Sequence, residues 1–390
     1  HPDCLGRFDN GTFEQRILKE FIQYKLEHRI KIVYNLTRFA GYSEDNDLKD
    51  FGNFSQFWRF FRMCEERNLE CHQTWEIIFR TIRVIRGRLI ETEMTKEEGP
   101  LDNMIILRVH RFAQPILEEL GWEMQPGEHP SDTHMRFLVV RMLLWIKAED
   151  VSEPLQWMVN EPIAKLESPM RAVVWMFAVN LGGQGSAIKK KYWKYIKNDP
   201  QDPEKDKFGT IRQHLLFALA SNAKEEGHGF NFMKKILDGL FEFDPVYSPM
   251  DMLWAYRGAT EYYPNMCPAI DHFMDNSPTS VTMFREDQLN KVCKSKNAGE
   301  KIALKLEWME ATMATCNILA ECCTYVKQYD DLSKIIEPNL NYCDDISEDR
   351  TLHHKEQLRD RANNIRLRFA DKKAAVHKDM EMSLKLSYNK

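Results

Sequence analysis

Residues Pro115 to Asp150 read PILEELGWEMQPGEHPSDTHMRFLVVRMLLWIKAED, and this stretch decides the fold. The pattern predicts a helix ending at Leu120, a Gly121-Trp122 turn, a polar loop rich in Pro and Gly, and a second helix from about Thr133 to Ile146. The second helix carries Met135, Phe137, Leu138, Val139, Val140, Met142, Leu143, Leu144, Trp145 and Ile146. A helix apolar nearly all round belongs inside a set of other helices rather than on a surface. It is too short for a membrane span, and Arg136 and Arg141 within it argue against one as well.

Helical signals continue on both sides. Upstream, Phe13, Ile17, Leu18, Phe21 and Tyr24 are spaced by three and four within Thr12 to Phe39, and His28 to Tyr42 closes at Gly41, a good residue after a helix end. Phe54 to Leu89 reads as two helices joined around Arg67 to Gln73. Trp58, Phe60 and Phe61 make an aromatic face that invites a ligand-cage reading, but large aromatics at helical spacing are the usual content of a core. Met94 to Pro100 is a charged loop, and Leu101 to Leu120 is the helix that enters the opening stretch.

Downstream, Ser168 is a ready N-cap and Pro169 suits the first helical position, with Gly182-Gly183 expected to end that helix after Leu181. Gly182-Gly183-Gln184-Gly185 has neither a preceding strand nor a following Gly-Lys-Ser/Thr, so it is no phosphate loop. Ile188 to Lys197, IKKKYWKYIK, is a basic aromatic helix whose expected role is a solvated outer face with Tyr and Trp packed inward. Phe208 to Asn222 is helical, and Ser248, Pro249 and Asp251 repeat the capping logic, the Asp sitting where the helix dipole favours it. Further helices are expected near 282–293, 299–311 and 312–328, and a last pair between Glu356 and Leu386. No Asn-Gly or Asp-Gly pair is flanked by alternating β-branched residues, so strand signals are nearly absent. Paired helices with short links, repeated along the chain, indicate an all-α fold of solenoid type.

Composition narrows the function classes. With a formal net charge of -5 the chain carries no global basic field for nucleic acid. Its nine cysteines form no CxxC pair and no Cys/His set with zinc-site spacing. Asn10, Asn35 and Asn53 head N-glycosylation triplets, and with the cysteine content they point to a secreted protein or one in the lumen of the secretory pathway. Cys64 and Cys71, which bracket a short helix connection, are the candidate disulfide. None of the twelve histidines begins HExxH, and no GxSxG occurs. His353 and His354 are consecutive and point apart on a helix, while His129 and His134 share one loop region without a third ligand. No catalytic, metal or cofactor residue is therefore expected.

Several of these segments resemble the C-terminal helical domain of M1-family zinc aminopeptidases, the puromycin-sensitive, endoplasmic-reticulum and aminopeptidase N-type enzymes. The resemblance rests on Leu120-Gly121-Trp122-Glu123 followed by Asp132, Met135 and Arg136 before an apolar helix. It is extended by Arg29, Ala40-Gly41, Trp75, Pro169-Met170-Arg171, the LLxALA-like run in Phe208 to Asn222, Asp251, and Asn364-Ile365-Arg366-Leu367. The last departs from the family in having Leu at an aromatic position, and Pro169 to Arg171 has one fewer spacer. The resemblance covers about residues 28–275 and 356–386 and none of the catalytic half. It implies a curved HEAT- or armadillo-like solenoid of antiparallel helix pairs spanning 28–386 as a single domain, after an N-terminal segment 1–27 with its own first helix. The implied function is a non-catalytic extracellular module that binds a peptide or protein, an M1 catalytic domain among the candidates, on its concave face. The alternative is a regulatory, substrate-gating fragment of a zinc aminopeptidase whose catalytic domain lies elsewhere.

Overall fold

The apolar helix of the opening stretch runs from Pro130 to Trp145 in the computed structural model. It starts at Pro130 rather than Thr133 because proline takes the first helical position and the His129 side chain, as N-cap, accepts from the Ser131 N–H. The structure describes residues 61, 72–91, 100–160, 168–198, 210–221, 229–241, 247–261, 263–276, 298–322, 328, 330–336, 356, 359–360 and 363. Asn10, Asn35, Asn53, Cys64, Cys71, Trp58, Phe60 and the Asn364 to Leu367 run lie outside them. Among the described residues every regular element is a helix, so the described part of the protein is all-α. None of these helices is long and apolar enough to cross a membrane.

Two compact units divide the described chain after Val151. The first contains α1 (His72–Glu91), α2 (Pro100–Leu120), α3 (Pro130–Trp145) and a short 3-10 turn at Glu149–Val151. Helix α3 packs against α2 and, less extensively, α1. Trp75 of α1 is fully buried and stacks on Phe112 of α2, while Phe61 meets it edge-on, so the aromatic residues there fill a core. Phe79 meets Trp145 edge-on across α1 and α3. Where α1 passes α2, the Arg86 guanidinium donates to both carboxylate oxygens of the fully buried Asp102 and lies 4.9 Å from the Trp145 ring centre.

Helices α2 and α3 are each closed at their C-terminal end by a left-handed residue. Gly121, with φ of 68°, follows the last turn of α2 and donates its N–H to the Leu117 carbonyl. After α3 the same position is filled by Lys147, φ 57°, and the N–H groups of Lys147 and Ala148 reach the carbonyls of Leu144 and Leu143. That is the two-bond Schellman closure, made here without glycine.

The second unit contains α4 (Ser152–Val159), α5 (Ser168–Val179), α6 (Gly182–Asn198), α7 (Thr210–Ala220), α8 (Gly229–Phe241), α9 (Pro249–Ala259), α10 (Tyr263–Asn276) and α11 (Ala298–Cys322). Helices α5, α7, α9 and α11 form a row in which each packs on the next. Helices α6, α8 and α10 lie beside the row, each touching the two row helices that flank it in sequence. Burial follows this order: α5 is buried from Ala172 through Val179 and α7 from Leu215 through Ala220. Gly258 of α9 lets the backbones of α9 and α7 approach, since a Cβ there would lie 2.1 Å from the Phe217 carbonyl oxygen.

Two sequence expectations are corrected. Gly182 does not end the preceding helix; α5 stops at Val179, and Gly182 opens α6 after a turn at Asn180 and Leu181. The break expected near 311–312 is absent, because the hydroxyls of Thr312 and Thr315 donate to the Trp308 and Ala311 carbonyls one turn back, which satisfies them inside a continuous α11.

Candidate functional site

Helix α9 begins as its sequence predicts. Pro249 follows the Ser248 N-cap, and the Asp251 carboxylate accepts the Ser248 N–H at 2.8 Å. The same carboxylate also receives Arg212 of α7, whose Nη2 donates at 2.9 Å and Nε at 3.1 Å. Arg212 Nη1 donates to the Ile196 carbonyl at the end of α6, so one guanidinium joins three helices.

One turn along α9, Met250, Trp254 and Arg257 share a face at i, i+4 and i+7. Met250 is 51% exposed, Arg257 is exposed and Trp254 is half-buried. The indole packs against Arg257, whose guanidinium lies 5.4 Å from its centre, and against His214 of α7, whose ring stands nearly perpendicular to it with centres 6.1 Å apart. A tryptophan in contact with a cation and a second ring, with an exposed Met on the same helix face, combines residue types enriched at protein interfaces. The surface is suited to receive an apolar side chain, with a guanidinium close by for carbonyl or carboxylate oxygens.

A second constellation has the wiring of a catalytic relay. His272 of α10 donates from Nε2 to Asp238 of α8 at 2.7 Å, and its Nδ1 lies 3.1 Å from the Tyr256 hydroxyl of α9. The carboxylate only accepts, so it orients the imidazole as in a nucleophile–base–acid set. Tyr256, however, is fully buried, and burial first, then the Asp238 charge and Cys316, raises its pKa well above the usual range. The Cys316 thiol of α11 is also fully buried and raised by burial. Nothing in this arrangement presents the hydroxyl to a substrate. Its evident work is to tie α8, α9 and α10 together, with Asp238, 39% exposed, as the end that faces water.

The histidines singled out in the sequence are placed locally. His129 caps α3, and His134 Nδ1 lies 2.7 Å from the Pro130 carbonyl. The structure stacks His134 on His72 of α1 at 5.0 Å, and His72, lowered first by burial and then by His134, lies 3.2 Å from the Ser131 hydroxyl. Among the described residues no group of three or more His, Cys, Asp or Glu side chains is placed to hold a metal ion. Arg136, which the sequence offers as a charge within the apolar helix and as the last residue of the LGWE-led motif, is 1% exposed and clamps the α2–α3 turn. It donates to the Leu120 and Gly121 carbonyls and to both oxygens of Glu128. That pairing holds the Glu128 carboxyl down at about 2, with the Gln125 N–H and Thr133 hydroxyl assisting. No protein-family model matches the chain, and no curated protein matches it.

Proposed function

We propose that the chain is a non-catalytic helical domain of the type found at the C-terminus of M1-family zinc aminopeptidases, and that it binds a peptide or protein. In this reading the second unit is a segment of a curved, HEAT- or armadillo-like solenoid of antiparallel helix pairs, and the partner docks on the Trp254 face. The observation that carries it is the row α5–α7–α9–α11 with α6, α8 and α10 alongside, since alternating layers of packed helices are how such solenoids build extended binding surfaces. Support for the family comes from the motif that suggested it: its two ends are bonded to each other, Arg136 holding the carbonyls of Leu120 and Gly121. The triplets at Asn10, Asn35 and Asn53 support an extracellular or lumenal setting.

Panning a random peptide library on the wild-type protein, with counter-selection on Trp254→Ala, tests the binding site. Selected peptides should lose about 30-fold in affinity for the variant, the scale of a hot-spot residue. Equal binding to both proteins, or no enrichment, refutes the site. Intact mass of the protein from its source, before and after glycan removal and reduction, tests the rest. A glycosylated species built on 46.1 kDa supports a free-standing secreted domain. A species about twice as heavy, with zinc and aminopeptidase activity, makes this the gating portion of an enzyme instead.

A further inference from the structure

The basic helix IKKKYWKYIK acquires a partner in the fold. Lys190, Lys191 and Lys194 lie exposed on α6, and Lys234 and Lys235 lie exposed on α8. Lys235 Nζ sits 5.6 Å from the centre of the Trp193 ring, which brings the two exposed faces side by side. Lys189, by contrast, is turned inward and buried. Among the described residues no carboxylate pairs with Lys190, Lys191, Lys194 or Lys234. Asp238, one turn beyond Lys234, is taken by His272. In a chain of net charge -5, this is a local concentration of exposed positive charge among the described residues.

We propose that the outer faces of α6 and α8 form a docking surface for an extended, Asp- and Glu-rich peptide segment of a partner protein. Charge complementarity selects an anion, and three features select among anions. Trp193 is half-buried and Lys235 lies over one of its faces, so it is a poor stacking platform for the bases of a single-stranded nucleic acid. Among the side chains described on α6 and α8 no large apolar one stands exposed, whereas a helix seated in a membrane presents an apolar face. Lys190 and Lys194 are one helical turn apart, a rise of about 6 Å. Alternate side chains of an extended strand recur about every 7 Å, so carboxylates at every second residue fall in step with them. The lysines are flexible point charges rather than planar forks, which suits a run of carboxylates over one precisely placed ligand. This surface shares no residue with the Trp254 face, and neither reading rests on the other.

The test uses fluorescence anisotropy on the full chain with a short labelled polyglutamate peptide at low ionic strength. A neutral Gly-Ser peptide, an oligothymidylate and phosphatidylserine vesicles serve as comparison ligands. Polyglutamate should bind, weaken as salt rises, and lose at least about tenfold in affinity for K190Q/K191Q/K194Q/K234Q. The variant R80Q/R108Q/R111Q/K334Q, which removes as many charges elsewhere, should change affinity less than about twofold. Zero-length carbodiimide cross-linking on the wild-type protein should place the peptide's carboxylates on Lys190, Lys191, Lys194 or Lys234. The proposal is overturned by absent polyglutamate binding, by equal loss in the two variants, or by cross-links that map elsewhere. Tighter binding of oligothymidylate or vesicles through the same lysines overturns it as well.

Discussion

Replacing Arg136 by methionine should cost about 3 kcal/mol of stability, and the figure follows from what the guanidinium holds. Arg136 is 1% exposed and makes four hydrogen bonds, two to Glu128 and two to the carbonyls of Leu120 and Gly121. Those carbonyls belong to the last residue of α2 and the one after it, where no helical N–H returns to close them. Methionine fills most of the volume, so the loss is electrostatic rather than a cavity. Removing one member of a buried ion pair costs about 3–5 kcal/mol, because the remaining charge is stranded. Glu128 sits on a loop and keeps the Gln125 N–H and Thr133 hydroxyl, which places the cost at the lower end. Glu128→Gln takes the counterion from the buried Arg136 but leaves it bonded to the Leu120 and Gly121 carbonyls, and should cost about 2–3 kcal/mol. The double variant should then be less destabilised than the sum of the two by at least about 1 kcal/mol, since the second change removes a charge already unpaired. Urea unfolding of the four proteins gives each value. A methionine variant within about 0.5 kcal/mol of wild type, or strict additivity, would refute the clamp.

The pH dependence of the same pair has a fixed sign. Glu128 is depressed from 4.5 to about 2, so its stabilisation is fully present above about 4.5 and is lost as pH falls towards 2. The stability gap between wild type and Glu128→Gln, followed by urea unfolding, should therefore close over that window; a gap constant with pH contradicts the assignment. Gly258→Ala should destabilise by about 2 kcal/mol or more. The clash with the Phe217 backbone outweighs the roughly 1 kcal/mol that alanine gains in a helix, and a rise in melting temperature would show that α7 and α9 are not in backbone contact. Lys147→Gly should stabilise by about 1 kcal/mol by relieving a left-handed backbone in a non-glycine residue, and a loss of stability would argue against that geometry.

The core of the first unit was legible because its signal is local. A nearly unbroken apolar run from Met135 to Ile146 can only be enclosed, and Gly121 after Leu120 marks a helix end by its backbone freedom. Other features were hidden because their determinants are weak in sequence. Pro130 stood in a polar loop before it became the start of α3, and Lys147 does the work usually given to glycine. The continuity of α11 past 311 was also hidden, and there the Thr312 and Thr315 hydroxyls bond to carbonyls within the helix. The candidate site was the least legible part. Asp251 announced itself as a first-turn residue, but nothing near it in sequence named Arg212, 39 positions away, as its partner. Trp254 becomes an anchor only when α7 brings His214 against it.

That dependence explains why the second unit buries charged and polar groups at helix junctions. The apolar faces of α5, α7, α9 and α11 are built largely from Ala, Val, Leu and Met, and surfaces of that kind can slide on one another at little cost. Directional bonds cannot. Arg212 and His214 are two residues apart on α7, and Asp251 and Trp254 are three apart on α9, so the Arg212–Asp251 pair sets the register that places the imidazole against the indole. The Asp238–His272–Tyr256 chain does the same for α8, α10 and α9. Buried pairs of this sort add little net stability once their desolvation is counted, and their best-attested use is to specify one arrangement over others. In this protein that arrangement is what keeps the exposed Met250–Trp254–Arg257 face in shape on a scaffold of largely apolar contacts.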